Sequence, residues 1–333
     1  MSYDQEIQNS TTIKPTELAA VFDYRDTPME DIFHNYYLFC RENLDIHSTR
    51  ENIKPNVFAF ISGLSSNAAA VKTSENKFGI FVNTGLIKYC LDNFSNNPDL
   101  DDYLFERFPE TVSFFDLPVS DLAFQLATQF TYYHELAHLI QYSKKAEKLT
   151  LQERNEDCNI YNELKHILEI NADTYASIAI TSHIQQYIAN SFKENLTQEH
   201  VEKTIIIMCS CLLNYITSFY HDLINVYFKE YCHPHPVIRL FNVVLNITYN
   251  LNQSSFFKQK NITVDSKNLS KQIIEFYIEL EQQVIFHTKF QTALESSFDL
   301  RDQIVTYLGE LIQFKTEEYC NAMDRWNNQH TTK

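Results

Sequence analysis

The chain is poor in glycine, with 4 among its 333 residues, and no stretch supplies the glycine-rich loop that cradles phosphates. That sets aside the nucleotide-binding folds built on such a loop. Its 7 cysteines contain no CxxC pair. Cys209, Cys211, Cys232 and His233 could be grouped as a second, structural zinc site, but buried reduced thiols are the better reading. Basic residues are outnumbered, 27 Lys and Arg against 43 Asp and Glu for a net charge of −16, which argues against a nucleic-acid or anionic-membrane surface. The opening Met1-Ser-Tyr-Asp-Gln-Glu6 has neither a basic nor an apolar targeting region. With an odd number of scattered cysteines, this leads us to expect a cytoplasmic protein. Thr204–Tyr220 carries no charge, yet it is short for a span and holds Ser210, Asn214 and Thr217, so a buried central helix is expected there. There is no internal repeat and no low-complexity linker.

Apolar residues are plentiful, at 44% with 14% aromatic, enough to bury a large core. The periodicity predicts an α+β protein, predominantly α-helical. Residues to about Pro15 read as a polar, mobile tail, and 16–43 as two short helices broken near Thr27-Pro28. Pro55–Ile61 and Phe78–Val82 read as strands, the second ending in a turn at Thr84-Gly85. Asp116 or Ser120 is the expected cap of a helix through Tyr142, whose apolar stripe is Leu122, Leu126, Phe130, Tyr133, Ala137 and Ile140. The charged run after Tyr142 reads as a solvated connection. Towards the end, Ile273, Phe276, Tyr277, Leu280 and Val284, then Ile304, Leu308, Leu311 and Ile312, predict amphipathic helices that pack on the core, with self-association or a regulatory partner as the alternative. The expected divisions are 1–55, 56–250 and 251–333.

The chemistry concentrates in Thr131-Tyr-Tyr-His-Glu-Leu-Ala-His138. On a helix, His134 and His138 lie one turn apart on one face and can offer two imidazole nitrogens to one tetrahedral cation. Glu135 points about 100° away, a poor ligand but within reach of a water on the metal. A catalytic zinc needs a third protein ligand, and the helical segment His166-Ile-Leu-Glu-Ile-Asn-Ala-Asp173 offers Glu169. Asp173, one turn on, suits the free ring N–H of His134. His166 competes as a ligand but is better read as a helix-face histidine. Ala172 and Ala176 are small enough for two helices to approach closely.

HExxH followed by ExxAD resembles the gluzincin metallopeptidases. His233-Pro-His-Pro-Val-Ile-Arg239 is similar to the HPxxxxR element of the HtpX, Oma and CAAX-protease group. Ser66-Asn-Ala-Ala-Ala70 with Gly79-Ile-Phe-Val-Asn-Thr-Gly-Leu86 is similar to that group's NAFA segment and following strand. Those relatives are mostly membrane-embedded or exported, and they usually carry Phe where this chain has Ala69. A weaker resemblance is to the phage-exclusion protease Lit. The likeness covers roughly 56–244. It implies a zincin-like core with a small sheet beside the HExxH helix and an edge strand to which an extended peptide adds. Asn67, Ala68, Ala69 and Ala70, and also Phe78–Val82, are then expected to face substrate. It also implies that a histidine of the His-Pro-His-Pro segment, His233 or His235, faces the oxyanion of the reaction, with Arg239 orienting the site. The six-residue step to Arg239 favours His233.

The expectation is therefore one Zn2+ held by His134, His138 and Glu169, with Glu135 as general base, hydrolysing a protein or peptide substrate. The competing expectation is a zinc-stabilised interaction protein that keeps this frame without turnover.

Overall fold

The computed structural model describes residues 2–13, 18–73, 75–143, 160–220 and 224–313. The charged run after Ser143, Cys158 and Cys320 lie outside them. Helices α1 (Tyr3–Asn9) and α2 (Glu30–Glu51) precede strands β1 (Asn56–Ile61), β2 (Ala68–Lys72) and β3 (Phe78–Asn83). There follow α3 (Thr84–Cys90), α4 (Pro98–Arg107), α5 (Pro109–Val112), α6 (Val119–Tyr142), α7 (Glu163–Phe192) and α8 (Gln198–Thr217). The chain continues as α9 (Pro236–Gln253), α10 (Ser255–Gln259), α11 (Ser266–Gln282) and α12 (Gln291–Gln313). The class is α+β and predominantly helical, as the periodicity predicted.

The N-terminal segment departs from expectation. Tyr3 and Ile7 of α1 belong to the buried core. The Tyr3 hydroxyl donates to the Phe22 carbonyl at 3.1 Å and accepts from the Phe60 N–H at 3.0 Å, tying α1 to β1. Glu6 is buried where the Tyr37 hydroxyl and Arg41 meet it. A polar composition concealed three anchoring side chains. Downstream, Val21 pairs in a β-bridge with Ile61 instead of continuing a helix, and Glu30–Glu51 runs unbroken after Pro28.

The sheet order is β1-β3-β2, with β1 parallel and β2 antiparallel to β3. The central strand is therefore β3, and Phe78, Gly79, Ile80 and Val82 are buried. Both its edges are paired, so the expectation that Phe78–Val82 faces substrate is corrected. At Thr84-Gly85 the strand passes directly into α3. Gly85 N–H donates to the Gly63 carbonyl at 2.7 Å, and a Cβ there would sit 2.3 Å from the Leu64 carbonyl oxygen. Only glycine lets the loop before β2 press so closely on α3.

Helix α6 packs most extensively on α7 and also meets β2. It is buried on nearly every side, from Val119 to Tyr142, so a single apolar stripe understates it. Its cap also differs from expectation. The first turn is capped from outside, by Asp101 of α4, which accepts from the Ser120 N–H at 3.0 Å and from the Ser120 hydroxyl. On α7, Ala172 and Ala176 are fully buried. The α8 helix is buried through its apolar length, and no helix among the described residues is long and apolar enough to cross a membrane. Val284 lies beyond α11 and is exposed, as is Ile312 on α12. One contiguous buried cluster runs from Tyr3 to Leu311.

Candidate metal centre

Phe130, His134, His138 and Tyr142 recur at four-residue steps along α6, which places their rings in one row. Phe130 stacks on His134 with centroids 6.1 Å apart, and Tyr142 stacks on His138 at 6.1 Å. The two imidazoles are edge-to-face and bring their Nε2 atoms within 3.1 Å of one another. Two lone pairs this close repel unless a proton or a cation lies between them. Glu169 on α7 closes the triangle, with Oε2 3.5 Å from His134 Nε2 and Oε1 3.5 Å from His138 Nε2. A tetrahedral ion with bonds of about 2.0–2.1 Å separates its donor atoms by roughly 3.3 Å. The 3.1 Å between the imidazole nitrogens fits such an ion, and the Glu169 carboxylate approaches each nitrogen with one of its oxygens. Among the described residues, His134, His138 and Glu169 form the cluster able to hold a metal.

The far side of each imidazole is held as a metal ligand's should be. His138 Nδ1 lies 2.8 Å from the Gln141 side-chain oxygen, and the Gln141 amide donates to the Leu168 carbonyl at 3.0 Å. His134 Nδ1 lies 3.0 Å from Asp173 Oδ1, off the line of a straight hydrogen bond, so we read it as a close charge contact. Asp173 is itself clamped by Arg239, whose Nε and Nη2 donate at 2.8 and 2.7 Å. Arg239 Nη2 is 4.0 Å from Glu169, so its grip on the site passes mainly through Asp173.

The charges favour a cation. Burial alone would depress the His134 imidazolium, yet the Asp173 and Glu169 carboxylates beside it push its pKa up to about 10. Burial likewise opposes ionisation of Glu169, but His134, His138 and His233 hold its carboxyl well below the ordinary range. With no metal, a proton takes the cation's place. Glu135 is the exception: burial pushes its carboxyl up, against the pull of the two imidazoles and the Ala70 backbone N–H. A carboxylate raised towards neutrality is suited to proton exchange.

All four of these residues line a cleft of about 730 Å³. Its rim is the segment Leu64–Ala70, which includes the expected Asn67, Ala68, Ala69 and Ala70. The Asn83 N–H donates to the Asn67 carbonyl, so with the observed register Ala69 and Val71 bond inward to β3. Ala68, Ala70 and Lys72 therefore turn their N–H and C=O groups to the unpaired edge. His233 also lines the cleft, half-exposed, with Nδ1 3.6 Å from Glu169 Oε1. His235 does not: it is buried, caps α9 by accepting from the Val237 N–H at 3.1 Å, and is held neutral by burial, with its pKa lowered to about 3. His166 is fully buried between the Tyr231 carbonyl and the Tyr307 hydroxyl, away from the metal cluster.

Several cleft residues had no signal in the sequence, among them Lys165, Tyr215, Phe219 and Tyr220. Gln141 was missed as well, although its position three residues after His138 could have flagged it. We expect Gln141→Leu to weaken metal binding by about 10- to 100-fold while the fold persists, measured with zinc as the probe ion in competition with a chelating dye. Compared with known proteins, the chain matches no family model, no curated protein and no solved structure.

Proposed function

We propose that the protein is a zinc-dependent endopeptidase. The observation that carries this reading is the His134–His138–Glu169 triangle on the wall of a cleft that also presents Glu135 and an unpaired strand edge. A structural zinc site is closed by four protein ligands, and a catalytic one uses three. Three are gathered here. When bound, zinc supplies Lewis acidity, making water a nucleophile near neutral pH and polarising a carbonyl.

The remaining steps belong to the chain. An extended peptide lies against β2, where the outward N–H and C=O groups of Ala68 and the C=O of Ala70 bond its backbone whatever its sequence. Glu135 takes a proton from the attacking water onto its raised carboxylate. It returns that proton to the departing nitrogen as the C–N bond breaks. His233, beside Glu169 in the cleft, donates an N–H to the carbonyl oxygen as it gains charge, and such a donor is worth about 2.7–4 kcal/mol of barrier. Asp173 and Arg239 keep His134 in place throughout.

The test is digestion of a denatured proteome with wild-type protein and with Glu135→Gln, reading new termini by mass spectrometry. Both proteins are expected to hold one zinc per chain. New termini should appear with the wild type and be absent with the variant. Cleavage retained by Glu135→Gln would reject the assigned base.

A further inference from the structure

The polar chain behind the metal centre continues past Asp173. Arg239 spends Nε and Nη2 on Asp173, and its Nη1 donates to the Tyr220 hydroxyl at 3.3 Å. That hydroxyl donates to the Pro234 carbonyl at 3.0 Å. Pro234 directly follows His233. A single path of contacts therefore leads from His134 Nδ1 through Asp173, Arg239 and Tyr220 to the residue next to the proposed oxyanion donor. The path joins two histidines that both stand beside the Glu169 carboxylate.

The geometry around Tyr220 is specific to a hydroxyl. It has one proton and two lone pairs. Arg239 takes a lone pair, which directs the proton to Pro234. Burial pushes its pKa up to about 12, so it remains a donor at any working pH. The residue follows the end of α8, with its own N–H on the Thr217 carbonyl at 3.1 Å, and its ring lines the cleft. Pro234 and Pro236 stiffen the segment they interrupt, so fixing one carbonyl there fixes the direction of the neighbouring His233.

We propose that Tyr220 is a positioning residue that couples occupancy of the metal site to the placement of His233. This rests on the endopeptidase reading only for what His233 then does. With a cation at Nε2, the His134 ring would be fixed at one angle, with its Nδ1 held against Asp173. The Asp173–Arg239 fork moves as one rigid unit, and Tyr220 passes the constraint to the Pro234 carbonyl. Loss of the hydroxyl leaves the metal bound and the loop uncoupled.

The experiment compares full-length wild type, Tyr220→Phe and Tyr220→Gln, with zinc as the probe. Hydrogen exchange is read by mass spectrometry at the amides of Tyr231, Cys232, His233 and His235, with and without zinc. In the wild type, zinc is expected to slow exchange there. In Tyr220→Phe, zinc should bind within about threefold of wild type while that slowing is lost, and turnover of a peptide library should fall roughly tenfold in kcat with KM unchanged, the effect of one hydrogen bond. Tyr220→Gln, which keeps an N–H donor, should retain part of the slowing. Equal slowing in wild type and Tyr220→Phe would overturn the proposal. So would slowing kept in Tyr220→Phe but lost in Tyr220→Gln, which would assign Tyr220 to packing. A library left uncut by the wild type would remove the endopeptidase reading, while the exchange measurement would still decide the coupling.

Discussion

At the proposed zinc site, Glu169→Gln is expected to lose the ion under conditions where the wild type retains it. The change is nearly isosteric, so the helix pair should stay folded, but the site loses its one anionic ligand. Structural zinc sites with four ligands bind with about 10–16 kcal/mol, or roughly 3 kcal/mol per ligand, so affinity should fall by a hundredfold or more. The variant should also alter proton linkage. In the metal-free wild type, His134 holds a proton up to about pH 10, against an ordinary imidazole value of 6.5, and zinc must displace it. Calorimetry at pH 8 in two buffers of different ionisation enthalpy should therefore show about one proton released per zinc. In Glu169→Gln, one of the two carboxylates that hold this proton is gone, and the release should shrink.

Stability follows the same charges. The His134 contribution is fully present below pH 6.5 and is lost as pH rises through about 10, because its folded value is the higher one. The contributions of Glu169 and Asp173 have the opposite sign. They are present above the ordinary values of 4.5 and 3.8 and are lost as pH falls through the lowered folded values. Without metal the protein should be most stable between these limits, at about pH 4.5–6.5. Added zinc should then raise the melting temperature more at pH 8 than at pH 6, since at pH 8 it meets less competition from protons. An equal rise at both values would reject the protonated metal-free site.

The residues legible in the sequence are those whose relation to one another is set by helix geometry. His134, Glu135 and His138 share one helix, as do Glu169 and Asp173, and a repeat of 3.6 residues fixes which of them face the same way. That two such pairs meet is a tertiary fact, but their complementary chemistry announced it. The residues that were missed act through space on a partner distant in the chain. Tyr220 meets Arg239 and Pro234 through a turn after α8, and Asp101 caps a helix that begins 18 residues later. Neither has a local signature. The N-terminal helix failed for another reason: Met1–Ser10 is polar in composition, and only the receiving pocket of Phe22, Tyr37 and Phe60 makes Tyr3 a core residue. Strand β2 is the reverse case. Three alanines carry little β-propensity, yet the paired edge of β3 selects an extended conformation that leaves small side chains along a cleft.

Arg239→Met should cost the fold about 3–5 kcal/mol. Asp173 is fully buried, and its carboxylate is kept ionised by two hydrogen bonds from this guanidinium. Removing the partner strands a charge in a low-dielectric interior, and neutralising that charge by protonation also weakens its hold on His134. For a chain of this length the melting temperature should drop by about 4–7 °C in chemical or thermal unfolding of the metal-free protein. The double variant Asp173→Leu, Arg239→Met separates the two roles. With both charges gone, no unpaired ion remains, and much of the lost stability should return. Zinc affinity should not return, because nothing then orients the His134 ring. A double variant that regained stability and metal together would show that Asp173 and Arg239 serve only the fold, and the ligand-orienting role drawn from their geometry would fall.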